Sequence, residues 1–269
     1  MPIHLRVLAA MLLLSGPYLA GCSPEAPHAT VQGEQLTCSR PMVTTRYVVT
    51  GLRVPTREDV TAGELLGVDV DGVDDACGSP DYEGSVDNLL IDIAAALPSL
   101  MPSDPFYFNA AIEAGLFCNS TEPGCASVRY EVAIERCGEV ARLQLSRSGT
   151  TLGADIVELD GDGRFDARFE LLSLDLPVLF QGAHTIQAMN LRRARVSGVV
   201  SEGALEELVI GGANRYEDYL PLVYCDPAIC DPGGPIDALF DVMLDPGDAS
   251  CGGISVGFVA TAVMLSGDD

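Results

Sequence analysis

Nine cysteines constrain this chain more than any other feature, because they limit both the compartment in which it folds and the way it is held together. Cys22 stands at the end of an N-terminal apolar run. The other eight are Cys38, Cys77, Cys118, Cys125, Cys137, Cys225, Cys230 and Cys251. An even number of cysteines in an exported chain is the arrangement expected of a disulfide framework. A zinc site needs two closely spaced cysteine pairs, and Cys225-Asp-Pro-Ala-Ile-Cys230 has no matching second pair. Cys118 with Cys125 and Cys225 with Cys230 are candidates for short local bridges, and the spacing leaves the full pairing open.

The run from Val7 to Leu14 follows Arg6 and breaks at Ser15-Gly16-Pro17. It is shorter than the ~20 apolar residues that a membrane span requires, so residues 1–21 are expected to be a signal peptide. Leu19-Ala20-Gly21-Cys22 resembles a bacterial lipobox. That resemblance implies cleavage before Cys22 and acylation of its thiol, a membrane anchor of about 0.8 kcal/mol per buried CH₂. Ser23, rather than Asp, after the cysteine implies sorting to the outer membrane. Residues 22–37 are polar and rich in Pro and Ala, and are expected to be a flexible tether. Residues 38–269 carry no further linker and are expected to be a single domain.

Charge narrows the function classes. The chain has 39 acidic residues against 15 basic ones, a net charge of -24, and every basic residue is Arg. Nucleic acid is excluded as a partner, since binding phosphates needs clustered positive charge. Lysine-based catalysis is excluded outright. A 48% hydrophobic content is too high for a disordered acidic segment.

Period-2 alternation marks strands at Val43–Val49, Val128–Ile134 and Ala141–Leu145, the last two joined by a turn at Cys137-Gly138. Further strands are expected at Asp166–Leu174, Thr185–Val200, Leu205–Ile210 and Ile254–Leu265. A helix is expected from Asn88 to Leu97, capped by Ser85 or Asp87 and stopped by Pro98. A second is expected from Asp104-Pro105 to Ala114, ended by Gly115, with short helices at Tyr216–Leu220 and Ile236–Met243. The expected fold is α+β: mainly antiparallel β, sandwich-like, with a few short helices, and disulfide-stapled.

Two Asp/Gly loops carry the most specific chemistry. In Asp69-Val70-Asp71-Gly72-Val73-Asp74-Asp75 and Asp160-Gly161-Asp162-Gly163-Arg164-Phe165-Asp166, carboxylates two residues apart precede a glycine and further acid. That spacing aims several oxygens at one hard cation. Asp69, Asp71, Asp74, Asp160, Asp162 and Asp166 are therefore candidate ligands, with calcium the expected ion. The alternative is that each is a turn that needs no metal. Gly253-Ile254-Ser255-Val256-Gly257 matches a nucleophile elbow, but no His follows Ser255 and its flanks have strand character. His184 is the single His of the folded part and is expected to be a surface residue. Arg192, Arg193 and Arg195 form the one basic concentration, with Arg193 and Arg195 on the same strand face, suited to pairing with cross-strand acids.

The lipobox, Gly67-Val68-Asp69-Val70-Asp71-Gly72, Ser85-Val86-Asp87-Asn88, Leu191 to Gly198 and Cys251-Gly252-Gly253-Ile254-Ser255-Val256-Gly257-Phe258 together resemble a family of uncharacterised myxobacterial lipoproteins and secreted proteins. The resemblance implies an envelope location and adds no mechanism. The expected function is that of an outer-membrane-anchored, non-enzymatic binding or structural module with an envelope or extracellular ligand. The rival reading is an extracellular hydrolase that uses carboxylates or calcium, for instance on glycans.

Overall fold

The computed structural model describes residues 29–32, 35–64, 66–72, 77, 81–82, 86–100, 107–116, 128–180, 183–215, 241–243 and 251–265. The chain enters through a hairpin of β1 (Ala29–Gln32) and β2 (Gln35–Cys38). This hairpin occupies the second half of the segment expected to be a flexible tether, and Leu36 is buried there. Next come β3 (Val43–Arg53), α1 (Arg57–Ala62), α2 (Leu90–Leu100) and α3 (Phe108–Leu116). The rest is strand: β4 (Tyr130–Cys137), β5 (Val140–Arg147), β6 (Thr150–Glu158), β7 (Arg164–Phe180), β8 (Ala183–Val200), β9 (Ala204–Arg215), β10 (Val242–Met243) and β11 (Cys251–Met264).

Strands form at each place where the sequence predicts one, and β1, β2 and β6 form without having been expected. Tyr130, Val132 and Ile134 of β4 and Ala141, Leu143 and Leu145 of β5 are buried while the residues between them are not. Gly138, at φ 67°, turns one strand into the other. β11 is apolar on both faces because it is central, paired with β3 on one side and β9 on the other.

The expected sandwich is corrected. A single antiparallel sheet runs in the order β6-β5-β4-β3-β11-β9-β8-β7, with β10 appended to β11, and curls into a nearly closed barrel. Its end strands β6 and β7 are consecutive in sequence and joined by a tight turn, so they begin side by side. Twist accumulated over eight strands brings them back together. The seam between them is not a regular ladder: Asp155 of β6 reaches over it and accepts the Arg168 N–H of β7 at 2.8 Å.

Inside, one continuous core joins the inward residues of the sheet to Leu90 and Ile91 of α2 and Ala111 and Ile112 of α3. α3 touches both β3 and β7, four strands apart in the sheet, as a helix lying across the interior must. Each large apolar side chain buried here contributes about 1.5–3 kcal/mol.

The helices depart from expectation in detail. α2 runs through Pro98 to Leu100, because a proline near the C-terminal end removes one hydrogen bond without ending the packing. α3 continues past Ala114 through a buried Gly115 to Leu116; its expected start at Asp104-Pro105 lies outside the described residues. Residues 216–220 also lie outside them. Val242 and Met243, expected to end a helix, instead pair with β11 as β10. α1 has a Thr56/Asp59 capping box and Gly63 at φ 73° as its stop.

Among the described residues two disulfides are formed. Cys38–Cys137 ties the end of β2 to the end of β4, and Cys77–Cys251 ties the segment before α2 to the start of β11. Cys22, Cys118, Cys125, Cys225 and Cys230 lie outside the described residues. Among the described residues no helix is long and apolar enough to cross a membrane.

Candidate functional site

The residues from Leu66 to Gly72 cross the outer face of the sheet. Val68 and Val70 are buried in a small cluster with Val209 and Ala213 of β9, which anchors the segment apolar side down. Gly211 makes room for it, since a Cβ there would lie 2.6 Å from Val68 Cγ2. Alternation then turns Asp69 and Asp71 away from the sheet, where both are half-buried.

A third carboxylate joins them. Asp87 is paired with Val68 through its backbone and is only 1% exposed. Each of the three aspartates spends one oxygen on a backbone N–H: Asp69 Oδ1 accepts from Gly72 at 2.6 Å, Asp71 Oδ2 from Met243 at 3.0 Å, and Asp87 Oδ2 from Val70 at 2.6 Å. One oxygen from each lies within 4.8 Å of the others. The second Asp87 oxygen, Oδ1, is buried and receives no N–H donor, and the Asp81 carboxyl stands within hydrogen-bonding reach of the Asp87 carboxyl. Burial pushes the Asp87 carboxyl up to about 8, against the Val70 N–H, and repulsion from Asp81 and Asp71 adds to the rise.

Next to Asp87, Asn88 replaces a strand partner. Its Oδ1 accepts the Gly257 N–H at 2.9 Å, and its Nδ2 donates to the Gly257 carbonyl at 3.2 Å and to the Leu66 carbonyl. Ser255 sits two residues earlier on β11 and is fully buried. Its N–H donates to Asp241 Oδ1 at 2.7 Å, its hydroxyl donates to Asp241 Oδ2, and the Leu89 N–H donates to that hydroxyl at 2.7 Å. Burial raises the Asp241 carboxyl to about 6, although both Ser255 bonds pull it down. The Gly253–Gly257 motif is thus a clamp between β11 and the start of α2, on a strand as its flanks predict.

β8 completes the surface. Between β8 and β9 the register shifts at Arg192–Arg195, and Arg193 takes φ 49° there, so the inward set changes from Met189 and Leu191 to Ala194 and Val196. Such a bulge re-aims side chains. Arg195 forms a bidentate pair with Asp166, at 3.0 and 2.6 Å, and donates to the Asp69 carbonyl at 2.9 Å. Arg193 donates to the Met243 carbonyl at 3.0 Å. A shallow pocket of about 270 Å³ opens here, lined by Asp69, Asp71, Arg168, Phe169, Arg193 and Arg195.

Among the candidate ligands, the structure brings together Asp69 and Asp71, and Asp74 lies outside the described residues. The second loop forms a hydrogen-bonded turn. Asp160 Oδ1 accepts the N–H groups of Asp162 and Arg164 at 2.9 and 2.8 Å, which closes the hairpin between β6 and β7, while Asp166 is committed to Arg195. The expected cap role of Asp87 is also corrected: α2 starts at Leu90 and Asp87 serves Val70, seventeen residues back. His184 stands on β8 opposite Leu179, at the other end of the strand from Arg195.

Residues of 67–72, 86–89, 193–195 and 255–257 therefore meet in one place and bond to one another. Comparison of the chain with known protein families, with curated proteins and with solved structures finds no match.

Proposed function

We propose that this protein is an exported, non-enzymatic module of the cell envelope, held at the outer membrane by acyl chains on Cys22 and presenting the mixed-charge pocket beside Asp69 and Asp71 to an envelope or extracellular ligand. The observation that carries the reading is the employment of the polar groups around that pocket. Asp166 and Arg195 hold each other, Asp241 and Ser255 hold each other and α2, and Asn88 holds β11. These groups build a rigid, preformed surface, and preformed surfaces bind without an ordering cost. Two long-range disulfides agree with an oxidising compartment, and the resemblance to myxobacterial envelope proteins points the same way.

Two measurements test it. Cys22→Ala is expected to move the chain from carbonate-washed membranes into the soluble fraction; a variant that stays with the membranes contradicts the anchor. Envelope material captured by the wild-type chain is expected to be lost with Arg168→Glu/Arg193→Glu, whereas equal capture contradicts the pocket as the binding surface.

A further inference from the structure

We propose that Asp69, Asp71 and Asp87 form a site for one hard divalent cation of the calcium class, with Asp87 as its buried ligand. The proposal stands apart from the envelope reading, since it concerns only how this surface is held together.

Three observations converge on it. First, the separation fits. Calcium takes oxygens at about 2.3–2.6 Å, so ligands on opposite sides of one ion lie up to roughly 5 Å apart, and the three carboxylate oxygens here fall within 4.8 Å of one another. Second, the ligands are preset. One oxygen of each carboxylate accepts a backbone N–H, of Gly72, Met243 and Val70 respectively, which restrains the three carboxyl groups before any ion arrives. Third, Asp87 Oδ1 is buried in a residue that is 1% exposed, has no N–H donor, and the Asp81 carboxyl stands within hydrogen-bonding reach of the Asp87 carboxyl, so two acids crowd one buried spot. A buried carboxylate oxygen without a donor is expensive, and a cation is the partner that removes the cost.

The chemistry selects the ion. All three ligands are carboxylates, and neither His nor Cys belongs to the cluster, which disfavours zinc. Asp81 adds a fourth negative charge close to Asp87. Magnesium holds its waters and demands strict octahedral geometry, whereas calcium accepts an irregular set completed by carbonyls and water. Arg195 does not oppose the ion strongly, because its guanidinium is neutralised by Asp166.

The competing explanation is that Asp87 keeps a proton, shared with the Asp81 carboxyl, while its other oxygen serves the Val70 N–H. The two differ in what Asp87→Asn does, because an asparagine keeps the acceptor for Val70 and removes the charge. The full chain is stripped with EDTA and melted with and without CaCl₂. A rise of roughly 5–10 °C is expected at a hundredfold excess over the dissociation constant. Asp87→Asn is expected to melt at or above the stripped wild type and to gain nothing from calcium. Should that variant fail to fold, Asp69→Asn/Asp71→Asn, at half-buried positions, is expected to fold and to lose the shift. An unmoved wild-type midpoint, or a calcium shift retained in either variant, overturns the site.

Discussion

Asp241 shows at the level of one residue how burial and bonding compete. It is 4% exposed, and its folded-state carboxyl titrates at about 6 rather than 3.8. The folded chain therefore holds this proton more tightly than the unfolded one. The stabilisation is full below about pH 4 and is lost as pH rises through about 6. Between about pH 5 and pH 7.5 this group is expected to cost roughly 1–2 kcal/mol. Denaturant melts across that range should show a steeper loss in the wild type than in Asp241→Asn, which keeps an acceptor for the Ser255 N–H. Parallel slopes would mean that Asp241 does not carry the proton. Asp87 illustrates what a sequence hides at this scale. Its chain position, before an apolar helical stretch, suits a cap, and nothing in the local pattern announces that its acceptor serves Val70 across the fold. The spacing of Asp69 and Asp71 before Gly72 did announce two of the three, because carboxylates two residues apart ahead of a glycine can be aimed at one ion.

Among the elements, the tightest junction lies where β11 passes under the start of α2. Asn88 and Gly257 pair through both hydrogen bonds of an amide, and Gly67 packs against the same spot. A Cβ on Gly257 would lie 2.6 Å from Asn88 Nδ2 and 3.0 Å from Gly67 Cα. Gly257→Ala is therefore expected to cost about 1–3 kcal/mol by forcing the two segments apart. A variant with wild-type stability in urea would show that the junction is loose. Strand positions were readable because each strand has one face inward, and this holds for β4, β5 and β8. The helix ends were less readable, since Pro98 and Gly115 are signals of helix termination that α2 and α3 run through, Gly115 being buried in the packing of α3. α1 was not expected from the sequence, although Thr56, Asp59 and Gly63 supply its cap and its stop.

For the whole molecule, alternation cannot distinguish two stacked sheets from one sheet closed on itself, because both bury every second residue. What decides between them is the meeting of β6 and β7, a long-range outcome of twist. Cys38–Cys137 fastens the entering hairpin to that barrel across 99 residues of chain. Cys38→Ser/Cys137→Ser is expected to lose about 2–5 kcal/mol with the barrel still folded; an unchanged urea midpoint would show that the bridge restrains nothing in the unfolded chain. The second bridge, Cys77–Cys251, fastens the acidic segment to β11 and so holds Asp69, Asp71 and Asp87 over the sheet. With a net charge of -24, such a cluster is stable only if something offsets its repulsion. Equilibrium dialysis of the EDTA-stripped chain against calcium measures that directly. One calcium bound per wild-type chain and none per Asp87→Asn chain is the predicted result; no calcium bound, or equal binding by both, would contradict it.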